Sequence, residues 1–250
     1  MNTKTASRPD YGIDAPAVLR NLFLFGGLCL LLGLFLPSVL RLGPVVLKTR
    51  PSFLWTAFFL LVEGLLYLLY VKVGKFHHRD RMLALYDWTG NEKVLDVGCG
   101  RGLLLAGAAK RICAMNGTGH ATGIDIWSNT DMGGNSEAAT LRNLELEGVQ
   151  LVCTLLSVAA QDMPFADGSF DVIVSNLCLH NIYDKSPRQK ALEQIVRVLK
   201  PGGIAIISDY KRTGEYTASF QAMGLAVEKK RDGLLATFPP LTIVVARKPL

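Results

Sequence analysis

The chain has 250 residues, 50% of them hydrophobic, and a mean hydropathy of +0.28, which excludes a disordered or fibrous protein. Its net charge of +6 comes entirely from residues 1–81, where 10 Lys and Arg face 4 Asp and Glu, whereas residues 82–250 hold 17 of each kind. A neutral domain lacks the clustered positive charge of a nucleic-acid surface, so we expect no nucleic-acid partner. The five cysteines and four histidines show no metal-binding spacing, so we expect no metal.

Two long apolar segments predict a transmembrane helical hairpin within residues 1–81. Residues 22–40 contain no charge, and residues 52–71 contain one, Glu63. As helices, both are long enough to cross a hydrocarbon core about 30 Å thick. A signal peptide is the alternative for the first segment, but no small-residue cleavage site follows it and a second apolar segment does.

Positive charge sets the expected orientation of this hairpin. The connecting loop holds three basic residues, and seven flank the outer ends: Lys4, Arg8, Arg20, Lys72, Lys75, Arg79 and Arg81. Loops rich in Lys and Arg stay in the cytoplasm. We therefore expect a two-span membrane protein whose termini and C-terminal domain are cytoplasmic.

Glu63 would lie near the middle of the second span, on one helical face with Thr56, Tyr67 and Tyr70. An ionisable group inside a membrane indicates function, and helix packing is the alternative. A stripe of small residues on the first span could receive this face or pair two copies of the chain in a homo-oligomer. It consists of Gly26, Cys29 and Gly33.

In residues 82–250, strand-like runs alternate with helix-like segments, which predicts an α/β domain with a mostly parallel sheet and helices on both faces. The predicted strands are residues 93–97, 121–126, 151–156, 170–175, 204–208, 226–230 and 241–247. The predicted helices are residues 102–113, 136–147, 186–199, which Ser186 would cap, and 213–223. Ligands of such sheets bind beyond the carboxyl ends of the strands.

A glycine-rich loop follows the first of these strands. Gly98, Gly100 and Gly102 would permit a sharp turn and close approach of a ligand. Their spacing is not the G-x-G-x-x-G of dinucleotide-binding proteins. Asp96 would repel a pyrophosphate and suits a cationic group, such as the ammonium of an amino acid.

The second strand ends in another acid, Asp125. An acid at that position is placed to accept the hydroxyl groups of a ribose, and Trp127 could lie against an adenine. One end of the predicted site therefore suits an ammonium group and the other a nucleoside. S-adenosylmethionine carries both.

With two further segments, these residues resemble the class I S-adenosylmethionine-dependent methyltransferases of the small-molecule type. The resemblance covers roughly residues 85–248 and rests on VLDVGCGRG (94–102), GIDIW (123–127), DMPFADGSFDVIVSN (162–176) and VLKPGGIAIISDY (198–210). It implies a Rossmann-like seven-stranded sheet with an antiparallel last strand, and S-adenosylhomocysteine as product. It also implies that Asn176 approaches the sulfonium, and that the other cofactor contacts come from Asp96, Gly98, Cys99, Gly100, Gly102, Asp125, Ile126 and Trp127.

One position departs from the family pattern. Members often carry an acid five residues before the proline of the third segment, where it meets the adenine amino group, and this chain has Ala159 there. Either Asp162 or a backbone carbonyl would take that role. Asp131, Gly134 and Asn135 could cover the cofactor, with ordinary turn residues as the alternative.

His180 follows the fourth strand and is the candidate general base, because a histidine exchanges protons near neutral pH. The alternative is a histidine that only orders its loop. Tyr183 and Asp209 complete the predicted catalytic set, and Tyr210 and Tyr216 could line the acceptor pocket.

Three functions fit these patterns. We favour a membrane-anchored methyltransferase acting on a small, lipophilic acceptor, a hypothesis that depends on the hairpin. The second is a protein methyltransferase at the membrane surface. The third is a membrane-tethered module that binds S-adenosylmethionine without turnover, because the motifs describe the cofactor and not the acceptor.

Overall fold

The computed structural model describes residues 8–128, 133–231, 233 and 236–250. Contacts divide the chain into two units, Ile13–Gly74 and a second that joins Met1–Gly12 to Lys75–Leu250. Lys4 of the orientation argument and Asp131 of the predicted cover lie outside the described residues.

The unit Ile13–Gly74 is a pair of helices, α1 (Pro16–Phe35) and α2 (Thr49–Leu69), and ends in a π-helical turn at Tyr70–Gly74. Strands β1 (Leu40–Leu42) and β2 (Val45–Leu47) pair antiparallel between the helices. Two described helices are long and apolar enough to cross a membrane, Pro16–Phe35 and Thr49–Leu83. Many of the large apolar side chains of α1 and α2 are exposed, as with Phe35 at 82%.

The small-residue stripe of α1 packs against leucines of α2. A Cβ atom added to Gly26 would lie 2.9 Å from Leu61, and one added to Gly33 would lie 2.8 Å from Leu54. Glu63 is exposed on a different face of α2. The expectation that the stripe receives the face of Glu63 is therefore wrong, because leucine side chains fill the glycine grooves.

The second unit is an α/β domain with a seven-stranded sheet in the order β5-β4-β3-β6-β7-β9-β8. In chain order, its elements are α3 (Lys75–Leu83), β3 (Lys93–Val97), α4 (Leu103–Ala114), β4 (His120–Asp125), α5 (Glu137–Leu146), β5 (Cys153–Ser157), β6 (Phe170–Asn176), α6 (Lys185–Val198), β7 (Leu199–Asp209), α7 (Thr213–Ala222), β8 (Ala226–Arg231) and β9 (Thr242–Arg247). Strand β9 runs antiparallel to both of its neighbours, and the pairs among β3 to β7 are parallel. This confirms the predicted mostly parallel sheet with an antiparallel last strand.

Two apolar clusters cover the two faces of the sheet. One contains Leu192 and Ile195 of α6 with Phe220 of α7, and the other contains Leu83 of α3 and Leu105 of α4. Because both faces are buried, the central strands consist of nearly continuous apolar residues. All the parallel strands end at one edge, and the loops that follow β3, β4, β6 and β7 meet there.

The largest corrections to the predicted boundaries lie around α6. Asp184, rather than Ser186, is the residue before the first helical turn, and its carbonyl accepts hydrogen bonds from the backbone and guanidinium of Arg188. Strand β7 begins at Leu199 instead of residue 204, because Leu199 already pairs with Phe170.

Candidate active site

The glycine-rich loop after β3 depends on backbone conformations that favour glycine. Gly98, Gly100 and Gly102 all have positive φ, at 72°, 51° and 84°. A Cβ atom on Gly98 would also lie 2.1 Å from the sulfur of Cys178, which follows β6. The loop therefore turns sharply against the end of β6, and a side chain at Gly98 is excluded by both space and conformation.

Polar groups of α5 hold this loop in place. The hydroxyl of Thr140 donates to the carbonyl of Gly100 over 2.6 Å, and the amide nitrogen of Asn143 donates to the carbonyl of Arg101 over 2.9 Å. Both side chains are buried. Neither Thr140 nor Asn143 is among the predicted site residues, although two polar residues three apart on one helical face are a signal that could have indicated them.

Asp96, the last residue but one of β3, is a buried acid without a matching donor. Its side chain is 1% exposed, and neither oxygen has a hydrogen-bond partner of ordinary geometry within the described ranges. Burial raises the pKa of this carboxyl to about 8; the nearby backbone of Leu105 lowers it in part and the charge of Asp125 raises it further. A buried polar group of this kind is costly unless a ligand donates to it. An ammonium group fits this requirement.

Asp125 lies at the end of β4, directly beside the glycine-rich loop. One carboxylate oxygen accepts the backbone N–H of Gly100 at 2.8 Å, and the other accepts the backbone N–H of Trp127 at 2.6 Å. The same oxygen accepts a longer bond of 3.3 Å from Asn135, one of the predicted cover residues. Asp125 is half-buried, so its fixed oxygens keep lone pairs for the hydroxyl groups of a ribose.

The residues after Asp125 present apolar surface. Ile126 is 67% exposed, and Trp127 adopts a left-handed φ of 57° while its indole N–H donates to Ser157 on β5 over 2.6 Å. This left-handed conformation is strained for a bulky residue and is retained here by contacts on both sides. The arrangement suits a flat, apolar ring such as adenine.

Asn176 and Asp162 occupy different surroundings. The carbonyl oxygen of Asn176, at the end of β6, is buried and has no hydrogen-bond partner in the part of the chain that the structure describes. Asp162 lies on the surface, where its carboxylate pairs with Lys190 at 2.7 Å and the two side chains are 61% and 54% exposed. Asn176 thus has bonding capacity for a ligand, whereas the carboxylate of Asp162 is engaged elsewhere.

Three acidic side chains at the carboxyl ends of the strands lie near the thiol of Cys178. Burial raises the pKa of this thiol, and the charges of Asp125, Asp209 and Asp96 raise it further because all three lie nearby. The pKa of the Cys99 thiol is raised well above its usual value for the same reasons, burial first. Both thiols are therefore protonated and unsuited to act as nucleophiles.

His180 and Asp209 form a dyad at the ends of β6 and β7. The Nδ1 atom of His180 lies 2.8 Å from one carboxylate oxygen of Asp209, a close contact whose angle is not that of a hydrogen bond, and the backbone N–H of His180 donates to the other oxygen over 3.2 Å. Asp209 is fully buried and also accepts from the hydroxyl of Tyr216 at 3.1 Å. A carboxylate at Nδ1 favours the tautomer that carries its proton there, which leaves Nε2 as a lone-pair acceptor.

The other residues that were predicted to line the pocket differ in how deeply they are buried. Tyr210 meets the His180 ring edge-on with centroids 4.7 Å apart, and the side chain of Tyr183 is 70% exposed beside the same loop. Tyr216 is fully buried on Asp209, so it supports the dyad rather than lining a pocket. Burial first, and then the Asp209 charge, raise the pKa of Tyr216, so it stays a hydrogen-bond donor.

Arg188, which is also not among the predicted site residues, holds the loop after His180. Its guanidinium is 1% exposed, contacts the Glu215 carboxylate with two nitrogens at 2.9 and 3.0 Å, and donates to the carbonyls of Ile182 and Tyr183. Nothing in the local sequence links position 188 to position 215. Among the residues that the structure describes, no cluster of His, Cys, Asp or Glu could hold a metal ion.

The chain is similar in sequence to known methyltransferases. Residues 95–207 match the family model described as a methyltransferase domain. The chain is 30% identical over 164 residues to the demethylmenaquinone methyltransferase of Tropheryma whipplei, covering 66% of this chain and 61% of that protein. The chain spans about half to three fifths of the length of the first curated relatives that it matches.

Solved structures share the fold at low sequence identity. The N-methyltransferase NodS from Bradyrhizobium japonicum, in complex with S-adenosylhomocysteine, superimposes with a TM-score of 0.57 at 17% identity, covering 71% of this chain and 89% of that one. The [4+2]-cyclase SpnF superimposes with a TM-score of 0.58 at 18% identity, covering 70% and 81%. The domain therefore has the Rossmann-like fold of S-adenosylmethionine-dependent methyltransferases.

Proposed function

We propose that this protein, whose residues 95–207 form a methyltransferase domain, is an S-adenosylmethionine-dependent methyltransferase that is anchored in a membrane and methylates a small, lipophilic acceptor. The observation that supports the cofactor assignment is Asp96, a buried acid beside the glycine-rich loop whose oxygens have no hydrogen-bond partner of ordinary geometry among the described residues. The demethylmenaquinone methyltransferase that matches this chain supports the acceptor class by its name.

The residues at the carboxyl ends of β3 and β4 fit the two ends of the cofactor. Asp96 would accept the ammonium group, Gly98 to Gly102 would let the backbone approach the methionine part, and Asp125 would hold the ribose hydroxyls. Ile126 and Trp127 would flank the adenine. When bound, S-adenosylmethionine supplies a methyl group already activated by the sulfonium, so much of the remaining catalysis is positioning.

His180 would accept the proton that the acceptor loses. Asp209 holds the Nδ1 side of the imidazole, so the lone pair of Nε2 is available for this purpose. As the imidazolium forms, the buried carboxylate of Asp209 stabilises its positive charge. This arrangement favours acceptors with a transferable proton, such as a phenol or a hydroquinone.

The membrane part of the proposal rests on α1 and α2. Their exposed apolar side chains are disfavoured in water and suited to hydrocarbon, and the basic residues outside the pair favour a cytoplasmic location of both termini. A membrane anchor would bring the domain to acceptors dissolved in the bilayer. A homo-oligomer through α1 is not needed for this function.

A methyl-transfer assay also tests the two alternative functions. A protein methyltransferase would label a protein band instead of a lipid fraction. A non-catalytic binding module would bind the cofactor and label nothing, and the likeness to a cyclase shows that this fold serves more than one chemistry.

The test is transfer of a radiolabelled methyl group from S-adenosylmethionine in membrane extracts supplemented with the purified full chain. The proposal predicts label in the organic phase, and His180→Gln should reduce it about 100-fold or more while cofactor binding persists. Full activity on water-soluble acceptors, with none on lipophilic ones, would contradict the acceptor class.

A further inference from the structure

A short segment far upstream of the sequence motifs contacts the support of the glycine-rich loop. The backbone N–H of Asp10 donates to the side-chain oxygen of Asn143, and the Asn143 amide nitrogen donates to the carbonyl of Asp10, both over 2.9 Å. The same nitrogen donates to the carbonyl of Arg101 in the loop at 2.9 Å. Asn143, which is 3% exposed, therefore joins residue 10 to the loop. We call residues 10–12 the N-terminal strap.

A second contact joins the strap to the loop directly. The guanidinium of Arg101 lies 3.1 Å from the carboxylate of Asp10, whose other oxygen accepts the backbone N–H of Gly12 at 2.9 Å. The Gly12 hydrogen bond lowers the pKa of Asp10 most; burial opposes it, and the charge and hydrogen bond of Arg101 lower the pKa further. The carboxylate is thus ionised near neutral pH and suited to hold Arg101.

The rest of the strap makes hydrogen bonds and a ring contact with residues of the α/β domain. Tyr11 is 5% exposed, its hydroxyl donates to Glu147 at the end of α5 over 2.6 Å, and its ring meets Phe76 edge-on. The buried ammonium of Lys75 donates to the carbonyls of Tyr11 and Gly12 at 3.0 and 2.6 Å. Such a network is costly to break, because each buried partner would lose its hydrogen bond.

The strap supports the cofactor loop near Arg101, whereas backbone N–H groups earlier in the loop donate to the end of β4. Gly100 is held by Thr140 and Asp125, and the carbonyl of Arg101 is held by Asn143. Without the strap, the Asn143 oxygen would lose its donor and the side chain would be free to turn away from Arg101. The conformation of residues 98–102 would then be less restricted before a ligand binds.

We propose that the N-terminal strap is a positioning element for the cofactor site, acting through Asn143 and Arg101 on the loop that meets the methionine part of S-adenosylmethionine. This inference rests on the proposed function and adds residues 10–12, Asn143 and Arg101 to that site. The strap touches the loop and its support rather than the reacting atoms, so its effect is on cofactor affinity.

The test measures the loop with and without cofactor in the full chain in detergent. Hydrogen exchange of the amides in residues 98–102 is compared between wild type, Asn143→Ala and Tyr11→Phe, and the last variant removes only one hydroxyl group. The matched control is Lys110→Ala, which removes the exposed partner of Glu147 and leaves the bond from Tyr11 intact. Titration with S-adenosylmethionine and with 5′-methylthioadenosine, which lacks the amino-acid part, gives the second readout.

We expect exchange at least about tenfold faster in Asn143→Ala and a few-fold faster in Tyr11→Phe, with no change in Lys110→Ala. Affinity for S-adenosylmethionine should fall by similar factors, and affinity for 5′-methylthioadenosine should fall much less, a difference that general loss of stability would not produce. Unchanged exchange in folded Asn143→Ala and Tyr11→Phe would overturn the inference whether or not the cofactor binds. Absence of cofactor binding by the wild type would instead count against the proposed function.

Discussion

The Nδ1 atom of His180 lies 2.8 Å from a carboxylate oxygen of Asp209, which is fully buried and also receives the hydroxyl of Tyr216. Asp209 is the last residue of β7, and His180 lies in the turn Leu179–Asn181 that follows the neighbouring parallel strand β6, so the sheet brings both residues to the same edge. A carboxylate this close to Nδ1 favours the tautomer with its proton on that nitrogen, which leaves the Nε2 lone pair for a general base.

The dyad predicts a separation of binding from turnover. His180→Gln should lower kcat about 100-fold or more, because proton transfer by a positioned base contributes on that scale. Asp209→Asn should lower kcat as well, since an amide no longer favours the required tautomer. Titration should show cofactor affinity within about twofold of wild type, because neither side chain is placed on the cofactor. His120→Gln, which loses only a pairing with Thr154 on the sheet, is the matched control. Equal loss of affinity and turnover in His180→Gln would argue for loop ordering instead.

Asp96 predicts an unusual pH dependence of stability. Its pKa is raised to about 8 in the folded protein from a usual value of 3.8. Between these values, the folded state holds a proton that the unfolded state has released, so ligand-free stability should fall as pH rises from about 4 to 8. Asp96→Asn should remove this dependence, raise Tm at pH 8 and weaken cofactor binding about tenfold or more.

The same acid predicts proton release on binding. An ammonium group favours the ionised carboxylate, so binding of S-adenosylmethionine at pH 7 should displace the proton of Asp96. Calorimetric titration in buffers of different ionisation enthalpy measures this release. A wild type that releases no more protons than Asp96→Asn would mean that Asp96 does not meet the ammonium group.

A single methyl group added at Gly98 should lower the stability of the fold strongly. Gly98→Ala places a Cβ atom against Cys178 and forces a residue with a side chain into a φ of 72°. The control is Gly148→Ala, which has nearly the same φ of 71° but no atom within 4 Å of the added Cβ. Thermal unfolding should show a loss of about 1 kcal/mol for Gly148→Ala and clearly more for Gly98→Ala, with cofactor binding lost only in the latter. Equal losses in the two variants would show that conformation alone, and not contact with β6, constrains the loop.

Substitution of Asp162 should have little effect on cofactor affinity. Its carboxylate is exposed and paired with Lys190, and such surface pairs contribute only about 0–1 kcal/mol. Asp162→Asn should therefore bind S-adenosylmethionine within about twofold of wild type. A tenfold weaker affinity would show that this acid takes the adenine contact that Ala159 lacks.

Sequence patterns predict the sheet well because its strands are short apolar runs that end in glycine, acid or turn residues. Strand β3 was predicted at its observed bounds, and the acids Asp96 and Asp125 lie beside the glycine-rich loop as expected. These features are local, since backbone conformation and strand ends depend on neighbouring residues. Local patterns predict the bounds of a strand less well where its pairing partner is distant in the chain, as at Leu199, which joins β7 by pairing with Phe170.

The support of the site could not be derived from the sequence, because its contacts join residues far apart in the chain. Arg188 meets Glu215 across 27 positions, and Asp10 meets Asn143 across 133. Any charged or amide side chain on these helices could equally face water. The glycine stripe of α1 illustrates the same limit within a helix pair, since only packing shows that leucines of α2 occupy it.

A reconstitution assay tests methyl transfer to a lipophilic acceptor with His180 as base. Full-length wild type and His180→Gln are reconstituted in lipid vesicles with a membrane lipid extract and S-adenosylmethionine labelled in the methyl group, and label is counted in the organic phase. We expect time-dependent label in the organic phase with wild type and about 100-fold less with His180→Gln, at equal cofactor binding. Cofactor binding by both proteins with no organic label from either, or label confined to protein, would contradict it.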